Sequence, residues 1–417
     1  MTDDRALVLC RTEAGIRAAA WLAHQGVAVR LLCTGSFPTS LGTPQAFRGP
    51  RDRLGTVLGQ LIDVAPSTAL WIGPEVVDAP RRKRDLLAAV GAGGPGGIGR
   101  YLAGRALRPS DTAMEWVCRW LGAATWDEAL GPWLDRRLGG PAARVPPGVA
   151  HGFFGQGDDE GWWAPGHDGA GRVAAWVDGV IEAGGEALED VAVERLEVEH
   201  GRVVAVVTEF GRELVPGRLI TDLPPGELAA LLPDDLLDRA ELGSWPTADR
   251  VEVELKVDAA PYPWLTWVCR DREPLVAVRR AWGSAGEPRP DRLVAELVLA
   301  PTSPWYGEDD ERLGELAALL VDGLATVRGS PLRVVRHTDV VMRPVPRVEE
   351  QWPELARRYQ SLGLHPVGET GLGLPHDLGA ELELLERARD GEVIATLRER
   401  LLRHGPPREP WVAVGQA

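Results

Sequence analysis

The residues with the clearest chemical spacing lie in the first turn. Ala6-Leu-Val-Leu-Cys10 is a short apolar run, and Arg11-Thr12-Glu13-Ala14-Gly15 follows. Ile16 to Gln25 has helical spacing, Gly26 ends it, and Val27 to Cys33 is a second apolar run. Strand, turn, helix and strand in this order form the opening half of a dinucleotide-binding fold. There the turn reads G-x-G-x-x-G, its backbone amides receive a pyrophosphate at the helix N-terminus, and an acidic residue ends the second strand. Here the three glycine positions are Cys10, Thr12 and Gly15, and the acid's place falls at Cys33. Thr12 sets a Cβ and a hydroxyl where a phosphate should lie, and Glu13 adds a negative charge. Two like charges about 5 Å apart at an effective dielectric near 20 repel by roughly 3 kcal/mol. A thiol at position 33 cannot accept the ribose hydrogen bonds that a carboxylate accepts. Gly15 retains close helix–strand packing. The scaffold of a nucleotide site is expected here without most of its chemistry, and NAD(P) fails by the same argument.

Other candidate groups are looser. His151, Asp158, Asp159, Glu160, His167 and Asp168 gather in one irregular segment. Imidazoles and carboxylates bind metals or exchange protons, but this spacing favours a solvated loop, and no metal site is expected. Gly91 to Gly99 is glycine-rich, yet no strand leads into it and no Gly-Lys-Ser/Thr follows, so it reads as a linker. Arg81-Arg-Lys-Arg84 reads as a solvated helix start or loop. The cysteines at 10, 33, 118 and 269 form no C-x-x-C pair, and no G-x-S-x-G is present. Cys10 and Cys33 would end neighbouring parallel strands; buried thiols are favoured there over a disulfide.

The elements that must position these groups are those of a large, acidic chain. At 417 residues two domains are expected, and apolar (44%) and charged (26%) contents are those of a globular protein. The net charge of −15 argues against nucleic acid and anionic membrane as main partners. No apolar run reaches a membrane-spanning length, and the N-terminus lacks a signal-peptide layout, so a cytoplasmic protein is expected.

Arg53 to Ile62, Arg82 to Val90 and much of Tyr101 to Leu138 look helical, with Ala69 to Gly73 a strand. Pro141 to Gly169 is irregular. Gly171 to Ala183 is a helix closed by Gly184-Gly185. Strands follow at Ala187–Val193, Arg195–His200, Arg202–Thr208, Arg212–Arg218 and Leu219–Leu223. Arg250 to Val257 alternates, placing Glu252, Glu254 and Lys256 outward. Strands near 265–270, 275–280 and 292–299 complete an antiparallel sheet. A helix at 309–327, a strand at 332–341 and a long helix from about 380 to 404 finish the chain. Among sixteen tryptophans, Trp162, Trp163, Trp264, Trp267, Trp282 and Trp305 fall on sheet or loop elements. Core packing accounts for most of them, and an aromatic-lined pocket is the alternative.

This order resembles the superfamily of FAD-dependent amine oxidases, phytoene desaturases and protoporphyrinogen oxidases. The likeness rests on the opening βαβ and on Gly171-Arg-Val-Ala-Ala-Trp-Val-Asp before Gly184-Gly185. It rests also on Val191 to Val206 with Gly211-Arg-Glu-Leu and Ile220-Thr-Asp-Leu-Pro-Pro, and on Val367-Gly368-Glu369 before a helix. The resemblance implies an α/β chain of two threaded domains. A Rossmann-like FAD/NAD(P)-binding domain would take 1–75, 150–245 and 355–417. An α+β substrate-type domain would take 76–149 and 246–354, with an antiparallel sheet roofing a hydrophobic cavity. It implies that FAD, if bound, touches Gly15, Thr12, Cys33, Val193, Gly368 and Glu369. It also offers Lys256, His365 and His376 as catalytic candidates near a flavin.

Set beside the altered turn, the resemblance implies a degenerate member with no cofactor expected. Such a protein would act as a non-catalytic binding, escort or regulatory partner for a hydrophobic ligand or an active homologue. The alternative is an FAD-dependent oxidoreductase acting on an amine or an unsaturated hydrophobic substrate. Whether the chain is an enzyme stays open at this point.

Overall fold

A computed structural model describes residues 5–37, 41, 47–48, 61–63, 68–72, 75–78, 112–145, 147, 162–165, 169–215, 219–259, 265–268, 273–282, 288–342 and 346–368. The elements in chain order are β1 (Arg5–Cys10), α1 (Glu13–His24), β2 (Ala28–Cys33), β3 (Phe47–Arg48), β4 (Leu61–Asp63), β5 (Thr68–Ile72) and β6 (Glu75–Asp78). Next come α2 (Ala113–Leu121), α3 (Ala123–Thr125), a π-helical turn (Trp126–Leu130), α4 (Gly131–Arg137), β7 (Trp162–Pro165), α5 (Gly169–Glu182) and β8 (Glu186–Leu188). Then follow β9 (Val193–Glu199), β10 (Arg202–Thr208), β11 (Gly211–Leu214), β12 (Leu219–Thr221), α6 (Pro225–Leu231), α7 (Arg239–Gly243) and β13 (Thr247–Lys256). The last are β14 (Leu265–Val268), β15 (Leu275–Trp282), β16 (Pro288–Leu299), α8 (Asp310–Leu320), β17 (Arg333–Met342), α9 (Pro346–Leu362) and β18 (Leu364–Pro366).

A parallel sheet in the order β18–β12–β1–β2–β8 carries the opening unit. Cys10 pairs with Cys33, Leu9 with Thr221, and Thr221 with Pro366. The chain moves outward from β1 to β2 and β8, then returns to β12 on the other side of β1. The strand order therefore reverses between β1 and β12, which is where open α/β sheets place their ligands.

Both faces of this sheet are covered. On one, the Ala-rich side of α1 brings Ile16, Ala19, Ala20 and Trp21 against Val173, Trp176 and Val180 of α5. On the other, Leu7, Leu9, Leu219 and Leu364 pack beneath Val348, Trp352, Leu355 and Tyr359 of α9. Each of the Val, Leu and Ile side chains contributes on the order of 1.5–3 kcal/mol when fully buried.

The second large sheet has the order β17–β13–β16–β15–β14–β5–β6 and is antiparallel except between β5 and β14. Val251, Val253, Leu255 and Val257 face Leu313, Leu316 and Ala317 of α8. On the opposite face of β13 one charge departs from the outward reading, while Glu254 is half-buried and Lys256 is exposed. Glu252 is buried, accepting from Leu41 N at 2.6 Å and from Arg279 at 2.7 Å. Arg279 also lies 3.4 Å from buried Glu296. Alternation gave the right period there, but the polar side is covered at Glu252 and open only toward Lys256.

Other boundaries differ for local reasons. The single strand expected over 187–193 divides into β8 and β9, because Asp190 takes a left-handed φ of 54° between them. Leu61–Asp63 is a strand where a helix to Ile62 is expected, and the irregular stretch 141–169 contains β7. The helix expected from 309 to 327 stops at Leu320. α9 has no counterpart in the sequence reading, although Val348, Trp352, Leu355, Ala356, Tyr359 and Leu362 have helical spacing. The helices expected at 82–90 and 380–404, the Gly91–Gly99 linker and the His151–Asp168 cluster lie outside the described residues.

Candidate functional site

The turn after β1 and the end of β12 meet at the switch point. Thr12 is the N-cap of α1, and its Oγ1 accepts from Ala14 N at 3.2 Å. With its oxygen so engaged, the hydroxyl donates to Asp222 Oδ2 at 2.6 Å. Asp222 directly follows β12 and is fully buried. Its Oδ2 also accepts from Thr12 N at 3.0 Å and Gly15 N at 2.8 Å, and its Oδ1 accepts from Arg11 N at 2.7 Å. Three main-chain amides and a hydroxyl thus converge on one internal carboxylate at the N-terminus of α1. Such amides and the helix dipole stabilise negative charge. Burial nevertheless raises the Asp222 pKa above the ordinary carboxylate range, and the bonds from the Thr12 hydroxyl and the Arg11, Gly15 and Thr12 amides offset this only in part.

Two glycines permit the approach. A Cβ on Gly15 would stand 2.2 Å from Cys10 Cβ and 3.0 Å from Asp222 Oδ2. Gly368, at a φ of +74°, lies against the start of α1; a Cβ there would stand 2.5 Å from Ala14 Cβ. The side chain of Arg11 leaves the turn to pair with Glu227 of α6 and to donate to Thr338 of β17 at 3.1 Å. The turn is thereby tied to both large sheets.

Glu13 carries less repulsion than the sequence alone implies. It pairs at 2.8 Å with buried Arg172, whose guanidinium lies 5.6 Å from the Trp176 ring centroid. Its charge is compensated by that pairing. Cys10 and Cys33 are free buried thiols at paired strand ends. Burial, together with Cys33 and Asp222 nearby, pushes the Cys10 thiol up, so it stays neutral.

The remaining sequence candidates are dispersed. Val193 begins β9, opposite Thr208. Lys256 is exposed at the end of β13, its carbonyl accepting from Arg328 N at 2.8 Å. His365 lies in β18 opposite Ile220. Glu369 and His376 lie outside the described residues. The structure brings together Thr12, Gly15 and Gly368, with Cys33 at the next strand end. Sequence reasoning missed Asp222, Arg11, Arg172 and Glu227. For Asp222 a signal existed: a lone acid closing the apolar run Leu219-Ile-Thr, just before Pro224-Pro225.

The arrangement defines a class of fold. The chain has the fold of the FAD-dependent amine oxidase-like superfamily. It is similar to a reduced UDP-galactopyranose mutase, with a TM-score of 0.72 and 12% identity over 95% of this chain and 97% of that one. It is also similar to a putative protoporphyrinogen oxidase from Exiguobacterium sp. 255-15, with a TM-score of 0.60 and 16% identity over 94% and 100%. A third similar structure is cyclohexylamine oxidase from Brevibacterium oxydans IH-35A, with a TM-score of 0.56 and 13% identity over 96% and 100%. No family model and no curated protein matches the chain in sequence. Among the described residues, no helix is long and apolar enough to cross a membrane.

FAD is the group this fold implies. Its pyrophosphate would call on amides of the first turn, and in this structure the Asp222 carboxylate engages the amides of Arg11, Thr12 and Gly15.

Proposed function

We propose that this chain is a flavoenzyme-fold protein that has given up ordinary FAD binding and serves as a non-catalytic binding, escort or regulatory partner, for a hydrophobic ligand or an active homologue. The observation that carries the reading is Asp222 at the turn, where its carboxylate takes the amides that a pyrophosphate needs. Thr12 in the second glycine position and Cys33 in place of the ribose-binding acid support it. The proposal keeps two threaded domains, a nucleotide-type unit of 1–75, 150–245 and 355–417 and a substrate-type unit of 76–149 and 246–354. A cytoplasmic location belongs to the same reading.

Gly15 and Gly368 favour a second reading, an FAD-dependent oxidoreductase for an amine or unsaturated hydrophobic substrate, because both preserve close approach at the turn. In that reading Lys256, His365 and His376 are the catalytic candidates. Absorbance between about 350 and 500 nm of the purified chain, before and after excess FAD and gel filtration, decides between the two. A colourless protein whose melting temperature FAD does not move is expected. Stoichiometric flavin overturns the proposal.

A further inference from the structure

The site around Asp222 has the parts of an anion site and supplies its own anion. Arg11 N, Thr12 N and Gly15 N converge on the two carboxylate oxygens, and the Thr12 hydroxyl adds a fourth donor. The absent side chains of Gly15 and Gly368 allow the β12 end and the β18 end to close on α1. The strand end that delivers the carboxylate is itself held. Leu223 N donates to Thr221 Oγ1 at 3.1 Å, and Glu227 just beyond pairs with Arg11. Besides the Thr12 and Cys33 departures, one side chain that reaches in from the neighbouring strand takes the amides themselves.

We infer that Asp222 is an internal pseudo-ligand, an autoinhibitory contact that closes a nest of amides still competent for an external anion. The inference rests on the functional reading above and deepens it, by naming the residue that excludes the ligand and the class of ligand excluded: a pyrophosphate-bearing molecule or, in miniature, a small free carboxylate. Once the carboxylate is removed, the amides of Arg11, Thr12 and Gly15 have no internal acceptor from residue 222, and buried donors without acceptors are costly. An anion from solution then stabilises the folded chain in proportion to its occupancy.

The test is chemical rescue. Full-length wild type, Asp222→Ala and Asp222→Ser are melted in millimolar inorganic pyrophosphate, in formate, and in sodium chloride of matched ionic strength. Wild type is expected to melt at the same temperature in all three. Asp222→Ala is expected to melt lower than wild type in chloride and to regain at least half of that loss in pyrophosphate or formate. Asp222→Ser leaves a hydroxyl beside Thr12 and is read in the same way if the alanine chain does not fold. Refolding from urea that succeeds only with pyrophosphate or formate present also counts in favour. Variants that melt or refold no better in either anion than in chloride overturn the inference, as does a wild type stabilised as strongly as the variants. Flavin on the wild-type chain overturns the functional reading, whereas a colourless wild type with anion-insensitive variants sinks this inference and leaves that reading standing.

Discussion

Thr12 and Asp222 are 210 residues apart in sequence, and their side chains meet at 2.6 Å in the interior. Thr12 has two roles in one hydroxyl: its oxygen caps α1 by accepting from Ala14 N, and its proton goes to Asp222. A hydrogen bond to a charged group contributes about 1.5–3 kcal/mol and an N-cap about 1 kcal/mol. Thr12→Ala is therefore expected to lower the unfolding free energy by about 2.5–4 kcal/mol in urea titrations. Thr12→Ser, which keeps both bonds, should lose less than about 1 kcal/mol. Equal losses in the two variants would mean that the methyl group, not the hydroxyl, matters at this position.

Gly15 is constrained by the Cys10 side chain as well as by Asp222. A Cβ at position 15 would approach Cys10 Cβ to 2.2 Å, far inside contact distance. Gly15→Ala is expected to cost about 1–3 kcal/mol through overpacking. Combining it with Cys10→Gly removes the clashing carbon, so the double variant should be more stable than the sum of the single losses by about 1 kcal/mol or more. Strict additivity would place the strain elsewhere.

The charged face of the second large sheet sets an acid limit. Burial raises Glu296, but Arg279, Arg250, Arg137 and His337 outweigh burial and hold it at about 2, against an ordinary 4.5. A carboxyl depressed on folding contributes stability above its unfolded value and loses it as pH falls through its folded value. That contribution, roughly 3 kcal/mol, is therefore present at neutral pH and disappears between about pH 4.5 and 2. Asp222 runs the other way: its raised folded value favours the protonated form, so its contribution falls as pH rises through that value. Urea midpoints measured from pH 7 to pH 3 should drop steeply for wild type and less for Glu296→Gln. Parallel curves would remove Glu296 from the account.

The sequence made the parallel half of the fold legible because its signals are local. The apolar runs ending at Cys10 and Cys33, with Ala-rich α1 between them, follow from spacing alone. The site was legible on one side only. Cys10, Thr12 and Gly15 identify an altered turn, but the residue that answers them lies beyond another strand and arrives through pairing of β12 with β1. No periodicity joins positions 12 and 222. The same limit explains Glu13 and Glu252, whose neutralising partners Arg172 and Arg279 are supplied by other elements. α9 has a regular apolar stripe, but Pro353 within it breaks the usual signature of a helix interior.

The hydrogen bonds of Asp222 also set a schedule for biosynthesis. The first turn leaves the ribosome well ahead of the carboxylate that completes it, which follows more than two hundred residues later. At typical synthesis rates of about 5–20 residues per second, the turn waits on the order of ten seconds or more for its partner. Throughout that interval the nascent opening unit presents its amides to solvent or to whatever chaperone receives them, and its final closure is a late event in folding.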